Sequence, residues 1–298
     1  MTLVSWKDGV ARSAILDYLG AVADIPVAER VAVFDNDGTL WCEKPAYLQA
    51  FFIMERLREQ AADDPELAAS EVVQALLAND LATASRHGLD EVMRVLLNTY
   101  AGWTTEEFDA AVAQWADRFR HPRFGVPFAG LVYAPMLELL ELLRAHEFRV
   151  FIVTGGGVDF VRPLAAQLYG VQRDDVVGSA VKVEFERRDG KVVLARTAAL
   201  NGSPNEGAPK VVSIHNHIGR RPLVAVGNSA GDREMLEFAH TGERPSLCIV
   251  LDHDDDQREY AYGGAALTDP EAEPILATAE RAGWTVVSMR REWRRVFA

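Results

Sequence analysis

Residues 31–39 read Val-Ala-Val-Phe-Asp-Asn-Asp-Gly-Thr, and this stretch determines the fold class that we expect. Its first four residues are a short, continuous apolar run, which suits a strand buried on both faces of a parallel sheet. Two carboxylates, Asp35 and Asp37, follow the run directly. Because ligands of open α/β sheets bind beyond the carboxyl ends of the strands, these two side chains are candidate functional groups.

Helical and strand-like stretches alternate after about residue 130. Apolar runs predict strands at 148–153, 223–226, 247–251 and 285–288, and the turn at 187–190 predicts a β-hairpin between 182–185 and 191–194. Alternation of this kind is typical of a parallel sheet covered by helices. The sequence therefore predicts an α/β fold with a Rossmann-like parallel sheet and helices on both faces.

A helical block interrupts this pattern after the first strand. Between residues 45 and 121, apolar residues recur at i, i+3 and i+4, without strand-like alternation. Thr104 and Glu107 have the spacing of a capping box at the start of the last helix. We expect an all-helical insert at 45–121, within a core formed by residues 1–44 and 122–298.

Composition and charge exclude several classes of protein. The chain has 298 residues, 49 % of them hydrophobic, and a formal net charge of −13. Such acidity disfavours nucleic acid as a partner, because phosphate backbones need clustered cations. Two cysteines make no disulfide framework, and no apolar run is long enough for a membrane span. We expect a cytoplasmic protein without a membrane or nucleic-acid partner, and its oligomeric state stays open.

Polar groups also follow two later strands. Residues 154–157 read Thr-Gly-Gly-Gly, residues 227–232 read Gly-Asn-Ser-Ala-Gly-Asp, and Lys210 lies between these two motifs. Clustered acidic and amide oxygens suit a hard cation such as Mg²⁺. A hydroxyl and unobstructed N–H groups ahead of a helix form a cradle for an anion. Together, a cation site and an anion cradle indicate phosphoryl transfer.

The order of these motifs resembles the haloacid dehalogenase superfamily, and its phosphatase branch near the phosphoserine phosphatase-like members. The resemblance implies that Asp35 is the nucleophile and that Asp37 is the general acid and base. It implies further that Thr154, Gly155 and Gly156 bind the phosphate and that Lys210 offsets its charge. The helical block would be the cap that closes over the site.

The same resemblance implies a magnesium site. Its ligands would come from Asp35, Asp37, Asn228 and Asp232. The family motif commonly has Asp at the position of Asn228, and an amide offers an oxygen without a charge. We therefore expect a metal affinity lower than that of the usual site.

The expected function is a Mg²⁺-dependent phosphatase that hydrolyses a small phosphorylated metabolite through a phospho-aspartate on Asp35. One alternative is a phosphotransferase that uses an acceptor other than water. Another is a binding protein whose catalytic site has lapsed at Asn228. Asp37 argues against a dehalogenase, because a halide leaving group needs no protonation. The substrate cannot be read from the sequence.

One further motif follows the strand at 247–251. Residues 252–256 read Asp-His-Asp-Asp-Asp. Their position is at the expected ligand-binding edge of the sheet, so they form either an accessory acidic rim or a solvated loop. We expect the solvated loop.

Overall fold

The computed structural model of the chain describes residues 3–266, 269 and 271–298. Within these residues there are eight strands: β1 Val31–Phe34, β2 Arg149–Gly157, β3 Val176–Ser179, β4 Val181–Arg188, β5 Lys191–Leu200, β6 Val224–Gly227, β7 Leu247–Asp252 and β8 Thr285–Ser288. The α-helices in the same residues are α1 Val10–Ala21, α2 Leu48–Asp63, α3 Pro65–Ala69, α4 Glu71–Leu77, α5 Leu81–Arg86, α6 Leu89–Asn98, α7 Thr105–Arg118, α8 Ala134–Ala145, α9 Val158–Tyr169, α10 Ala208–Ile218, α11 Arg233–Ala239, α12 Ile275–Ala282 and α13 Met289–Glu292.

Six of the strands form one parallel sheet in the order β3-β2-β1-β6-β7-β8. This confirms the predicted Rossmann-like α/β class. The chain winds outward from β1 in one direction through β2 and β3, and then in the other direction from β6. Strand order therefore reverses between β1 and β6, and ligands of such sheets bind at that reversal.

The core lies on both faces of this sheet. Val31 and Val33 of β1 pack on one face with residues of α10, α11 and α12, whereas Ala32 and Phe34 point to the opposite face. All four residues of β1 are buried. The apolar run at 31–34 is thus explained by burial on both sides, and it leaves Asp35 as the first polar group at the strand end.

The chain divides into two compact units, and each contains more than one stretch of sequence. The larger comprises Met1–Lys44, Ala116–Ser179 and Pro204–Ala298, and it holds the parallel sheet. The smaller comprises Pro45–Trp115 and Ala180–Ser203. The segment 45–121 contains helices and no strand, as predicted. The smaller unit ends this segment at Trp115 and adds the stretch Ala180–Ser203, which the sequence analysis includes in the core. The smaller unit is therefore helical with a β-hairpin.

Helix packing and the hairpin stabilise the smaller unit. Leu57, Val73, Leu76 and Val95 are among the buried residues of its core. The predicted capping box is confirmed, because the Glu107 amide donates to Thr104 Oγ1 over 3.1 Å and the Thr104 amide donates to Glu107 Oε2 over 2.7 Å.

The hairpin belongs to this unit through main-chain and ring contacts. The Gly102 amide donates to the Arg196 carbonyl, and the Arg196 amide donates to the Trp103 carbonyl, each over 2.8 Å. The Arg196 guanidinium lies 3.7 Å from the centre of the Phe108 ring. The turn at Asp189 and Gly190 has positive φ at both residues, as expected of a tight hairpin turn.

The structure adds one strand that was not predicted, the edge strand β3. It also extends β2 through Gly157, so that the three glycines continue the strand until α9 begins at Val158. In the described part of the chain, no helix is both long enough and apolar enough to cross a membrane.

Candidate active site

The centre of the site is a buried lysine held between two carboxylates. Lys210 lies in the first turn of α10, and its ammonium donates to Asp35 Oδ1 and to Asp232 Oδ1, each over 2.6 Å. All three side chains are almost fully buried. The fold thus brings together the end of β1, the start of α10 and the turn after β6, as the order of the motifs predicts.

Burial and charge act against each other in this cluster. Burial and the negative charge of Asp232 raise the pKa of Asp35 well above its ordinary value, although Lys210 pulls it down. Burial alone would lower the pKa of Lys210, but attraction to Asp232 and Asp35 outweighs it and raises that pKa. Lys210 is therefore an ammonium shared by two carboxyl groups, and its charge does not fully offset the effect of burial and of Asp232 on the pKa of Asp35.

Asp37 lies in a different environment. It is partly buried, and Trp41 Nε1 donates to its Oδ1 over 2.7 Å. Burial raises its pKa to about 6, with a further increase from the nearby charge of Glu43 that is offset by the Trp41 hydrogen bond. A carboxyl group with a pKa close to neutral pH is suited to give and take protons.

The turn after Asp37 depends on glycine. Gly38 has φ of +74°, and a Cβ added there would lie 2.1 Å from Asn228 Nδ2. Both the left-handed backbone and the close approach of the Asn228 amide exclude a side chain. Gly38 is therefore required by its backbone conformation and by packing against the turn that follows β6.

Oxygen donors for a hard cation are present around this turn. Asn228 is buried, its Oδ1 accepts from Thr39 Oγ1 over 3.2 Å, and its Nδ2 has no hydrogen-bond partner. The carboxylate of Asp35 and the amide of Asn228 are chemically suited to Mg²⁺. Across the described parts of the chain, no three His, Cys, Asp or Glu side chains converge as a ready-made metal cluster. A cation here would depend on Asp35 together with neutral oxygens.

Asp232 is already engaged by the protein. Besides Lys210 on Oδ1, its Oδ2 accepts from the amides of Asn228 and Ser229, each over 3.0 Å, and from Ser229 Oγ over 3.2 Å. These contacts use both of its oxygens to hold Lys210 and the turn after β6. Its place among the metal ligands stays a prediction.

Thr154 lies at the same edge of the sheet, at the end of the neighbouring strand. Phe34 of β1 pairs with Ile152 of β2, so Thr154 lies only one residue farther along its strand than Asp35 does. Thr154 is fully buried, and its Oγ1 accepts from the Gly156 amide over 2.9 Å. One of the predicted phosphate-binding N–H groups is therefore bonded within the segment 154–157 itself, at the end of β2.

Two residues that the sequence analysis did not select hold this end of β2 in place. Asn205 Nδ2 donates to the Thr154 carbonyl over 2.9 Å, and Ser179 Oγ donates to the Gly155 carbonyl over 2.7 Å. The Asn205 amide donates in turn to Ser179 Oγ over 2.8 Å. Asn205 stands five residues before Lys210, in a loop without periodicity, and only its polarity could have indicated a role.

The acidic motif at 252–256 is not the solvated loop that we expected. His253 and Asp255 are buried. Asp255 is ion-paired with Arg258, and His253 contacts the turn at Gly38. The alternating pattern of buried and exposed residues explains the difference, because the charges alone do not show which side chains turn inward.

Comparison with known proteins gives a family and a fold. A family model described as haloacid dehalogenase-like hydrolase matches residues 32–237. No curated protein matches the chain. Similar solved structures include a protein of unknown function from Bordetella pertussis Tohama I, with 18 % identity, a TM-score of 0.53 and coverage of 87 % of this chain and 98 % of that one. A functionally unknown protein from Anaerococcus prevotii DSM 20548 has 16 % identity and a TM-score of 0.54, with 93 % of this chain and 90 % of that chain covered.

Proposed function

Because this chain belongs to the haloacid dehalogenase-like hydrolase family, we propose that it is a phosphatase that cleaves a small phosphomonoester through a phospho-Asp35 intermediate. The observation that carries the proposal is the Lys210 ammonium, 2.6 Å from both Asp35 and Asp232, beside an Asp37 whose pKa is raised to about 6. This reaction needs two groups, a nucleophile fixed in position and a nearby proton donor, and Asp35 and Asp37 are suited to these roles.

In the first half-reaction, an Asp35 carboxylate oxygen attacks phosphorus and the bond to the alcohol oxygen breaks. The protonated Asp37 gives its proton to the departing oxygen, which leaves as the alcohol. Lys210 offsets the charge of Asp35 and of the phosphoryl oxygens, and Asp232 keeps the ammonium in place.

In the second half-reaction, the Asp37 carboxylate takes a proton from water. The oxygen of that water attacks phosphorus, the bond from phosphorus to Asp35 breaks, and inorganic phosphate leaves. Asp37 is then protonated again for the next turnover. A pKa of about 6 suits both roles, because neither form of the carboxyl is strongly disfavoured near neutral pH.

Mg²⁺ is part of the proposal. Asp35, the backbone carbonyl of Asp37 and Asn228 would hold it, and the bound cation would stabilise negative charge on the phosphoryl group. The burial of Asp35 and its repulsion from Asp232, which Lys210 alone does not offset, support this assignment. The longer stretch of the smaller unit, Pro45–Trp115, is inserted in the sequence between the first two motifs, and we assign the unit the role of a cap that selects the substrate.

The decisive experiment is phosphate release from a panel of phosphorylated metabolites, with Mg²⁺ and with a chelator. We expect turnover only with the metal. Asp35→Asn should remove both turnover and the acid-stable phosphoprotein seen by rapid quench with labelled substrate. Substantial turnover by Asp35→Asn would show that Asp35 is not the nucleophile.

A further inference from the structure

The peptide that follows Asp37 is held by a buried histidine. His253, in the segment just after β7, is 3 % exposed, and its Nε2 lies 2.8 Å from the Gly38 carbonyl oxygen. A carbonyl oxygen only accepts hydrogen bonds, so this ring nitrogen carries the proton and donates. The Gly38 amide donates to the Trp41 carbonyl over 2.9 Å, so the peptide groups on both sides of Gly38 are engaged.

A buried glutamate lies on the other side of the ring. His253 Nδ1 is 3.4 Å from Glu259 Oε2, and Glu259 is fully buried. Tyr133 donates its hydroxyl to Glu259 Oε1 over 3.1 Å, and the Tyr260 amide donates to Oε2 over 2.5 Å. The glutamate is therefore fixed from several directions, and it sets the orientation of the imidazole.

The ring is also fixed in its plane. Tyr262 stacks on His253 with 4.2 Å between ring centres and 23° between the planes. The segment that carries these residues is anchored, because Arg258 donates to the Met289 carbonyl over 2.8 Å and to the Trp293 carbonyl over 3.0 Å. The segment that carries His253 is therefore held rigidly enough to fix the loop at Gly38.

We propose that His253, oriented by Glu259, is a positioning residue that fixes the Gly38 peptide and thereby the loop carrying Asp35 and Asp37. The proposal rests on the proposed phosphatase function for its effect on rate. His253 touches neither the nucleophile nor the proton donor in this structure, so it acts through the backbone between them. Loss of position by about 1 Å is enough to slow an enzyme by about 100-fold.

The test compares His253→Leu with His253→Gln, whose amide retains a donor for the Gly38 carbonyl. With p-nitrophenyl phosphate, we expect kcat of the leucine variant to fall by about 10- to 100-fold with KM within about twofold, and the glutamine variant to recover most of the rate. His215→Leu, at an exposed position of α10, is the matched control and should keep the wild-type rate. Equal rates for wild type and His253→Leu would overturn the proposal.

Hydrogen exchange gives a readout that does not depend on activity. In His253→Leu, peptides covering 35–43 should exchange faster while peptides covering β2 are unchanged. Unchanged exchange over 35–43 would refute the positioning role of His253 even if the rate fell. If the wild-type protein releases no phosphate, the proposed function fails. Hydrogen exchange of wild type and His253→Leu still decides whether His253 positions the Gly38 peptide. Should His253→Leu not fold, Glu259→Gln provides the same comparison, with the same outcomes for and against.

Discussion

Asp37 determines how the proposed reaction should depend on pH. Its pKa of about 6 means that the proton required by the leaving group is lost as the pH rises through 6. We expect kcat/KM for an alkyl phosphate to fall about tenfold per pH unit above that value. A profile that is flat between pH 6 and 8 would assign the proton donor to another group.

Replacement of the same residue separates its two roles. Asp37→Asn removes the proton donor, and we expect kcat/KM for an alkyl phosphate to fall by about 10²- to 10⁴-fold. The loss should be much smaller for p-nitrophenyl phosphate, because nitrophenolate leaves without protonation. The ratio of the two losses is the measurement, and equal losses would contradict a role in protonating the leaving group.

Among the secondary-structure elements, the turn after β1 is the most constrained by its neighbours. Gly38→Ala should cost about 1–2 kcal/mol for the left-handed backbone, and about 1–3 kcal/mol more for the overlap with Asn228. Gly283→Ala is the control in the same unit, because Gly283 has φ of +69° and nothing within 4 Å of an added Cβ. Free energies of unfolding from urea titration compare the two. Equal losses of unfolding free energy in the two variants would show that the contact with Asn228 adds no cost at Gly38.

The elements also show what the sequence could predict. β1 could be predicted because four apolar residues in a row precede two acidic residues. β6 and β7 were predicted from similar apolar runs. β3 was not predicted, because Val176-Val-Gly-Ser179 offers only two apolar residues and its identity as a strand depends on pairing with β2. A short edge strand is determined by its neighbour more than by its own residues.

In the candidate site too, residues within sequence motifs were predicted, whereas residues that act through distant contacts were not. Asp35, Lys210 and Asp232 were selected from the order of motifs, and the structure brings them into direct contact. Asn205 and His253 were not selected as site residues, because each acts by a hydrogen bond to a backbone carbonyl far away in the sequence. No periodicity or spacing encodes a contact of that kind.

At the scale of the whole molecule, the assignment of the hairpin to the smaller unit can be tested. Arg196→Ala removes the guanidinium that covers Phe108, with an expected cost of about 1–2 kcal/mol. Hydrogen exchange should rise in peptides covering 103–115 and stay unchanged in β1. Arg187→Ala, at an exposed position of the same hairpin, is the control. A matching rise in β1 would argue against two separate units.

The smaller unit is built from two stretches of chain that are separated by strands β2 and β3 of the larger one. During translation, its helices are synthesised well before the hairpin that completes them, so Phe108 lacks its contact with Arg196 while part of the sheet is synthesised. The same interleaving means that the unit cannot be removed as one continuous segment. Deletion of residues 45–115 alone would leave the hairpin at 180–203 without the helices that share its unit.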